Sequence, residues 1–344
     1  MSTIEELLDT NTHRMVSGDA VLDAPSIVES LWGSGHESLW PKGEPFLMCG
    51  PDGVGKTTIA QQLALALAGI GEPTFLGLPV ALAEKRVLYI AADRPVQAFR
   101  SMHRMVTKDD REALKDHLVI WRGPLPFDIA EQPDGLWRMA RRAGAENIIV
   151  DSLKDVAADL ANPVVGAGVN SAFQATVSAD IDICVLYHQR KAQAGGGKPR
   201  HISDVFGSRW ITAGCGSIVM LWGDAGDAIV ELTHLKQPDE TIGPLKVLHN
   251  HLLGKSTIEE QLTVRSVMMV ASDGQTAAQV AMMVYGNTDR NTVEKTRRKL
   301  ETLVGGEITR GESSPGVPVQ YFGPAHVAQH LVPSPVHELF ANAA

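Results

Sequence analysis

The feature that most restricts the fold is the stretch FLMCGPDGVGKTTIAQQLALALAG, from Phe46 to Gly69. A short apolar run precedes a glycine-rich turn, and residues that favour a helix follow it. Glycines let backbone N–H groups approach a phosphate, a lysine can contact the β and γ oxygens, and a threonine hydroxyl can bind Mg²⁺. The order strand, glycine-rich turn and helix predicts a phosphate-binding loop (P-loop). Its residues are Gly50, Asp52, Gly53, Val54, Gly55, Lys56, Thr57 and Thr58.

Composition excludes several classes of protein. The 344 residues are 44% hydrophobic and 21% charged, as in a globular chain of about two domains. The formal net charge of −9 argues against a histone-like binder, so any contact with nucleic acid must come from a local basic patch. Three cysteines without metal-like spacing indicate buried thiols in a reducing compartment. The acidic N-terminus and the lack of an apolar run near about 20 residues predict a cytoplasmic protein.

Strand-like and helix-like runs alternate, which predicts an α/β core with a mostly parallel sheet and crossover helices. The candidate parallel strands are PFLMCG, RVLYIAAD, HLVIWRG, NIIVDSL and DICVLYH. After Arg200, the runs GSIVMLWG, AIVELTHLK and LKVLHNH are separated by short turns and predict antiparallel strands that extend the same sheet. We expect an N-terminal segment over residues 1–30, the core over 31–254, a small second domain over 256–330 and a tail over 331–344.

Two acidic residues follow apolar strands. Asp151 ends NIIVDSL, where a P-loop protein places the aspartate that binds Mg²⁺; by itself it also fits an ordinary turn aspartate. Asp93 ends RVLYIAAD, at the sheet edge where a base can polarise water, although it also fits a solvated turn before Pro95.

These features together resemble the RecA-like ATPases, and in particular the hexameric replicative helicases of the RepA and DnaB type. The resemblance covers about residues 25 to 254 and rests on the P-loop, YIAADRP, NIIVDSL and LYHQRK. It implies that ATP and Mg²⁺ are bound, that Lys56 and Asp151 are catalytic, and that Asp93 stands where the family has its catalytic glutamate. The metal ligands would be Thr57 and Asp151.

The segment LYHQRK looks like the family's sensor strand, which implies that His188 or Gln189 detects the γ-phosphate. A loop with four basic residues and no acidic one follows; its three consecutive glycines would keep it mobile. Such a loop can follow a phosphate backbone through the channel of a ring, or can simply be solvated. The basic residues are Arg190, Lys191, Lys198 and Arg200.

In this family a neighbouring subunit usually completes the nucleotide site with a cation. The segment ELTHLKQPDETIGPLKV resembles the hairpin that carries this finger, which makes Lys236 the first candidate and Arg209 the reserve. Either residue can instead be an exposed cation. Trp40, just before the first core strand, is a candidate to stack on the adenine or to be buried.

The C-terminal region predicts a different small domain. TAAQVAMMVYG has Thr276 and Gln279 at capping-box spacing, DRNTVEKTRRKLETLV follows as a second helix, and two strand-like runs flank a Ser-Ser-Pro-Gly turn. This order is typical of a winged helix, used on DNA or for protein contacts. In the second helix Val293, Leu300 and Val304 can face the core. The outward basic and polar residues are Arg290, Asn291, Lys295 and Arg298.

Three functions remain open. The first is an ATP-driven helicase or translocase on single-stranded DNA, a hexameric ring in the replication of a phage, plasmid or mobile element, with a primase or loader as possible partner. The second is a filament-forming RecA-like recombination ATPase. The third is a DNA-binding regulator whose assembly is switched by nucleotide. Native mass separates them as closed hexamer, open length distribution and dimer.

Overall fold

The computed structural model describes residues 4, 5, 8, 12, 15–25, 27–189, 198–251, 253–258, 263–271, 273–312 and 316–324. The chain forms two compact units, residues 1–259 and residues 260–344. We call them the large unit and the C-terminal unit.

The large unit is built on β-strands. In chain order they are β1 (Ser30–Ser34), β2 (Glu37–Pro41), β3 (Phe46–Gly50), β4 (Thr74–Phe75), β5 (Leu78–Pro79), β6 (Arg86–Ala91), β7 (Leu118–Arg122), β8 (Ala145–Asp151), β9 (Asp182–His188), β10 (Ser217–Trp222), β11 (Ile229–Lys236), β12 (Leu245–Asn250) and β13 (Lys255–Ile258). Nine of them form one sheet in the order β13-β12-β11-β10-β3-β9-β8-β6-β7. Neighbours from β10 to β7 are parallel, and β11 to β13 are antiparallel. The predicted α/β core with a mostly parallel sheet is confirmed.

Helices cover both faces of this sheet. They are α1 (Lys56–Leu67), α2 (Pro95–His103), α3 (Arg111–His117), α4 (Gly135–Ala143), α5 (Pro163–Val177) and α6 (Arg209–Ala213). The helices α1 and α2 pack on one face together with the β1–β2 hairpin, and α4, α5 and α6 pack on the other. Because β3 is covered on both faces, all five of its residues are buried, which explains why its sequence is a continuous apolar run.

Two details of the predicted sheet are wrong. Strand β10 runs parallel to β3, with Ser217 opposite Phe46, because the chain between β9 and β10 contains α6 and is long enough for a crossover. The sheet also continues beyond Gly254: β13 pairs with β12, so Ser256 belongs to the large unit and lies opposite His249.

The C-terminal unit has three helices and a three-stranded antiparallel sheet among its described residues. Its elements are α7 (Val264–Val270), β14 (Gln275–Thr276), α8 (Ala277–Tyr285), α9 (Arg290–Leu303), β15 (Thr309–Arg310) and β16 (Gln320–Phe322), with the sheet order β14-β16-β15. The predicted capping box of Thr276 and Gln279 is present at the start of α8. Along α9, Leu300 is fully buried as expected, and Thr296 is buried as well.

None of the helices in the described part of the chain combines the length and apolarity that a membrane span requires.

Candidate nucleotide site

The turn between β3 and α1 depends on glycine. The angle φ is +76° at Gly53 and +87° at Gly55, a left-handed conformation that other residues rarely adopt. At Gly55 the space is closed as well, since a Cβ there would lie 2.3 Å from Cε1 of His249. The turn leads directly into α1, whose N-terminus attracts an anion through its free N–H groups and dipole. The geometry suits a phosphate cradle.

Lys56 is fixed inside this turn, with only 5% of the residue exposed. Its Nζ donates hydrogen bonds of 2.6 Å to the carbonyl oxygens of both Gly50 and Pro51. Since an ammonium group has three N–H donors, one remains for a phosphate oxygen. Burial lowers the pKa of Lys56 to about 8, and the nearby carboxylate of Asp52 partly opposes this. A bound phosphate would favour the charged form further.

Thr57 and Asp151 come together as a Mg²⁺ site requires. The Thr57 hydroxyl donates to Asp151 Oδ1 at 3.2 Å, and the hydroxyl of Tyr89 donates to Oδ2 at 2.7 Å. Burial raises the pKa of Asp151, while the hydrogen bonds from Tyr89 and Thr57 oppose that rise. Mg²⁺ usually takes one or two protein oxygens and fills its other positions with water and phosphate. A hydroxyl and a carboxylate at this position therefore fit the ion.

Asp93 lies beside this pair, because β6 and β8 are neighbours and Ala91 pairs with Asp151. Its carboxylate forms an ion pair with Lys154 at 3.3 Å and approaches Arg94 at 3.8 Å. Lys154 also binds Asp155 at 2.7 Å. The predicted base is thus in the site, and its charge is compensated by a lysine.

The end of β9 is joined to the P-loop at two points. The His188 ring forms a hydrogen bond with Asp52 through Nδ1, and the backbone N–H of Gln189 donates to the Gly50 carbonyl at 2.9 Å. The Gln189 side chain donates to the Asp204 carbonyl at 3.1 Å and accepts from the Phe206 N–H at 2.7 Å. Gly50 therefore connects Lys56 on one side with the segment after β9 on the other.

His249 closes the site from β12, although no sequence motif marks it as a site residue. Its Nε2 lies 3.0 Å from the Val54 carbonyl and its Nδ1 lies 2.7 Å from Ser256 Oγ. Because a carbonyl only accepts, we assign the proton to Nε2, and Ser256 then donates to Nδ1. Burial lowers the pKa of His249, in agreement with this neutral ring. The contact packs the β12–β13 hairpin on the P-loop.

The P-loop lines a cleft of about 790 Å³ together with Asp93, Asp151, His188 and His249. Beyond the P-loop the cleft continues between α2 and the turn that joins β12 to β13. Its polar lining there comes from Gln97, Arg100, Ser101, Arg104, Asn250 and His251. A ligand whose phosphates rest on the P-loop has room in this part for a sugar and a base.

Trp40 does not contribute to the cleft, so its predicted role as an adenine platform is wrong. The residue has no exposed surface, and its ring stacks on Phe46 at a centroid distance of 5.9 Å. Its position on β2 turns the indole into the core on the α1 face of the sheet. The β1–β2 hairpin buries Trp32 in the same cluster.

The basic loop is described only in part, since Arg190 and Lys191 lie outside the described residues. Lys198 pairs with Glu231 and donates to Thr233 Oγ1 at 2.5 Å, so its charge is already engaged by β11. Arg200 is exposed. Lys198 is thus paired within its own chain, and its contact with DNA stays a prediction.

Both finger candidates are associated with α6: Arg209 is its first residue, and Lys236, at the end of β11, contacts its last residue. Lys236 Nζ donates to the Ala213 carbonyl at 3.1 Å and also to that of Cys215. Arg209 begins α6 and is exposed, next to Trp210, which is 52% exposed. Lys236 would have to leave two carbonyl oxygens of its own chain to reach a neighbour's nucleotide, whereas Arg209 already faces solvent.

In the C-terminal unit, Arg290, Asn291 and Arg298 are exposed along α9, and Lys295 is half-buried. Asp289 caps the helix by accepting from the N–H groups of Asn291 and Thr292. Arg298 lies 3.9 Å from Glu294, so part of the basic face is neutralised within the helix.

A glycine turn with a buried lysine, a neighbouring hydroxyl–carboxylate pair and a mostly parallel sheet together define a P-loop nucleoside triphosphatase. The site residues come from β3, β6, β8 and β9, whose carboxyl ends lie at one edge of the sheet.

The chain belongs to the AAA domain family, whose family model matches residues 9–194. The matched range contains the P-loop, Asp93, Asp151 and His188, so the large unit is an ATPase domain. No curated protein sequence matches the chain.

Proposed function

We propose that this protein is an ATP-driven motor on single-stranded DNA, a helicase or translocase of the RepA and DnaB type that serves replication of a phage, plasmid or mobile element. The observation that carries the proposal is the bonding of Gly50. Its carbonyl accepts from Lys56 and from the N–H of Gln189, and the Gln189 side chain binds Asp204 and Phe206 beyond the basic loop. A change at the phosphate cradle can therefore be passed to both ends of that loop.

The proposal also includes a hexameric ring as the oligomeric state, single-stranded DNA as the partner and the cytoplasm as the compartment. A homohexamer in the cytoplasm would place the basic loops around a central channel, where Arg190, Lys191 and Arg200 contact the DNA backbone. A cation from the neighbour, Lys236 or Arg209, would complete each nucleotide site. A primase or a loader would be the partner in replication.

The C-terminal unit is proposed to be a winged helix. The order α7, β14, α8, α9, β15 and β16 with the sheet order β14-β16-β15 supports this. In such a domain the helix in the position of α9 enters a DNA groove, and Arg290, Lys295 and Arg298 would then make the contacts.

The direct test is strand displacement on a forked DNA duplex, with ATP, with a non-hydrolysable analogue and without nucleotide. We expect unwinding only with ATP and Mg²⁺, and none from Lys56→Ala, which removes the phosphate contact. Lys56→Ala should keep a cooperative unfolding transition. ATP hydrolysis that DNA does not stimulate, with no displacement and no translocation on single strands, would contradict the motor.

A second function stays open because the C-terminal unit has its own core and an exposed basic helix. In that case ATP sets assembly and the winged helix binds DNA as a regulator. Native mass distinguishes the three possibilities, since a closed hexamer favours the motor, a dimer favours the regulator, and an open series of lengths favours a recombination filament.

A further inference from the structure

Lys154 is a cation of the cleft for which the proposed motor provides no role. It lies in a short 3₁₀ turn, Leu153–Asp155, that follows β8 directly. Asp155 holds its ammonium group at 2.7 Å, and Asp155 is itself fixed by the Ser152 hydroxyl, which donates to it at 2.7 Å. The lysine therefore enters the cleft from a turn with its own support, just beyond the metal-binding aspartate.

The second partner of Lys154 is Asp93, the predicted base, at 3.3 Å. The side chain of Lys154 is 41% exposed and that of Asp93 is 38% exposed. Water and ligands can reach both ends of this ion pair, and pairs of such exposure contribute little to stability. A more highly charged anion that enters the cleft can therefore replace Asp93 at the ammonium group.

Lys154 lines the same cleft as the P-loop lysine, Lys56, and the histidine at the end of β9, His188. The ammonium group that pairs with Asp93 therefore borders the cavity in which a phosphate bound by Lys56 would lie.

We propose that Lys154 is a second phosphate-binding cation supplied by the same chain. When ATP binds, its ammonium group moves from Asp93 to the γ-phosphate, and Asp93 is then free to act as the base. The proposal rests on the ATPase activity of the family and is independent of the DNA motor. ADP has no γ-phosphate, so in the ADP state the ion pair stays closed. The exchange therefore couples activation of the base to the presence of the correct nucleotide.

The chemistry balances without another reactant. A water oxygen forms a bond to the γ-phosphorus, and the bond from this phosphorus to the β–γ bridging oxygen breaks, so that its electron pair leaves with ADP. The water proton passes to the Asp93 carboxylate, whose Oδ2 is available to it once Lys154 has moved to the phosphate. Lys154, now on the γ-phosphate, compensates negative charge on its equatorial oxygens.

Equilibrium binding of ATPγS and of ADP tests the first half of the proposal. Lys154→Ala should bind ATPγS about 10- to 100-fold more weakly, the effect of removing one charged hydrogen bond, and ADP within about twofold of the normal affinity. Lys154→Arg keeps the charge and should retain most of the preference for ATPγS. Equal decreases in affinity for the two nucleotides, or no decrease for either, would overturn the proposal.

A double-mutant cycle tests the exchange itself. Asp93→Asn removes the competitor, so ATPγS should bind more tightly when Lys154 is present. This gain should exceed the gain in the Lys154→Ala background by up to about fivefold, the range of an exposed ion pair. Equal gains in ATPγS affinity with and without Lys154 would mean that Asp93 only repels the phosphate. The proposed exchange of Lys154 between Asp93 and the γ-phosphate would then be wrong.

The control is Lys115→Ala, which removes a more exposed lysine that pairs with Glu112 at 3.7 Å on α3, outside the cleft. It should leave the ratio of ATPγS to ADP affinity unchanged. The unfolding midpoint of Lys154→Ala should stay within about 4 °C of the unchanged protein, because the ion pairs that the substitution removes are partly exposed. The affinities for ATPγS and ADP are measured without DNA in every variant. A result that disproves the DNA motor would therefore not affect this test.

Discussion

At the scale of single residues, the site depends on how each charged group is compensated. Asp151 is buried, yet it accepts hydrogen bonds from Tyr89 and Thr57. Lys56 is buried and uses two of its three donors on backbone carbonyls. Each charged group keeps capacity for a ligand, and the cost of burial falls when the opposite charge of the ligand arrives.

Tyr89→Phe tests the orientation of the metal ligand. The change removes a hydrogen bond that opposes the rise in the pKa of Asp151, so the carboxyl group should be protonated more readily and should bind Mg²⁺ more weakly. We expect a higher Mg²⁺ concentration for half-maximal ATPase activity, with a decrease in stability of about 1.5–3 kcal/mol. Titration of ATPase activity with Mg²⁺ measures this. Tyr285→Phe in the C-terminal unit is the control; an unchanged Mg²⁺ requirement in Tyr89→Phe would contradict the assignment.

Trp40→Ala tests the position of the tryptophan in the core. Removing a fully buried indole leaves a cavity beside Phe46, and such changes usually destabilise by about 3–5 kcal/mol. Nucleotide affinity should not change at a temperature where the variant is folded. Chemical denaturation and ADP titration measure the two quantities, and Trp40→Phe provides a milder variant. A selective decrease in nucleotide affinity at unchanged stability would mean that Trp40 contributes to nucleotide binding.

At the scale of secondary-structure elements, β9 and β12 bring distant segments to the P-loop. The end of β9 binds the loop through His188 and Gln189, and β12 binds it through His249. The first element continues into the basic loop, and the second continues into the turn beside the cleft. Both elements are therefore positioned to respond to the nucleotide.

The basic loop after β9 gives an electrostatic prediction. Replacing Arg190, Lys191 and Arg200 by Ala should weaken binding to a single-stranded oligonucleotide and flatten its salt dependence. The log–log slope should fall by about 0.7 for each phosphate that the variant no longer binds. Lys198→Ala should change the slope less, because Glu231 and Thr233 already hold its ammonium group. Fluorescence anisotropy across a salt series measures both. An unchanged slope in the triple variant would mean that the DNA binds at another surface, and α9 would be the first candidate.

At the scale of the whole molecule, the question is whether one chain suffices for hydrolysis. The described cleft contains the P-loop, the candidate metal ligands Thr57 and Asp151, and the predicted base Asp93. Both candidate fingers contact or belong to α6. A shared site predicts that turnover per chain rises with protein concentration as the ring assembles.

Mixing experiments test the shared site. Lys236→Ala and Arg209→Ala are each combined with Lys56→Ala, since some mixed interfaces would join an intact P-loop to an intact finger. The true finger variant should bind ATP almost normally but hydrolyse it far more slowly, by about 10³ to 10⁵ for an arginine and less for a lysine. ATPase activity should recover only in its mixture. Absence of recovery in mixtures that native mass shows to be mixed would exclude the tested residue as the finger.

Features that depend on short stretches of chain could be predicted from the amino-acid sequence alone. The P-loop follows from adjacent glycines, a lysine and a helix-forming segment, because φ and helix propensity are local properties. Continuous apolar runs predicted the buried parallel strands. Since carboxyl ends of parallel strands meet at one edge, Asp93 and Asp151 could be expected side by side, and the pairing of Ala91 with Asp151 agrees with this.

Contacts between distant parts of the chain emerged only from the folded structure. His249 contacts Val54 from 195 positions away, and Lys154 pairs with Asp93 across 61 positions. Neither spacing has a sequence signature, because strand order and crossover direction set such contacts. The same long-range packing made Trp40 a core residue and tied Lys198 to β11. The sequence thus gives the chemical type of each side chain, whereas its burial and its partners are determined by the packing of elements that are distant in the chain.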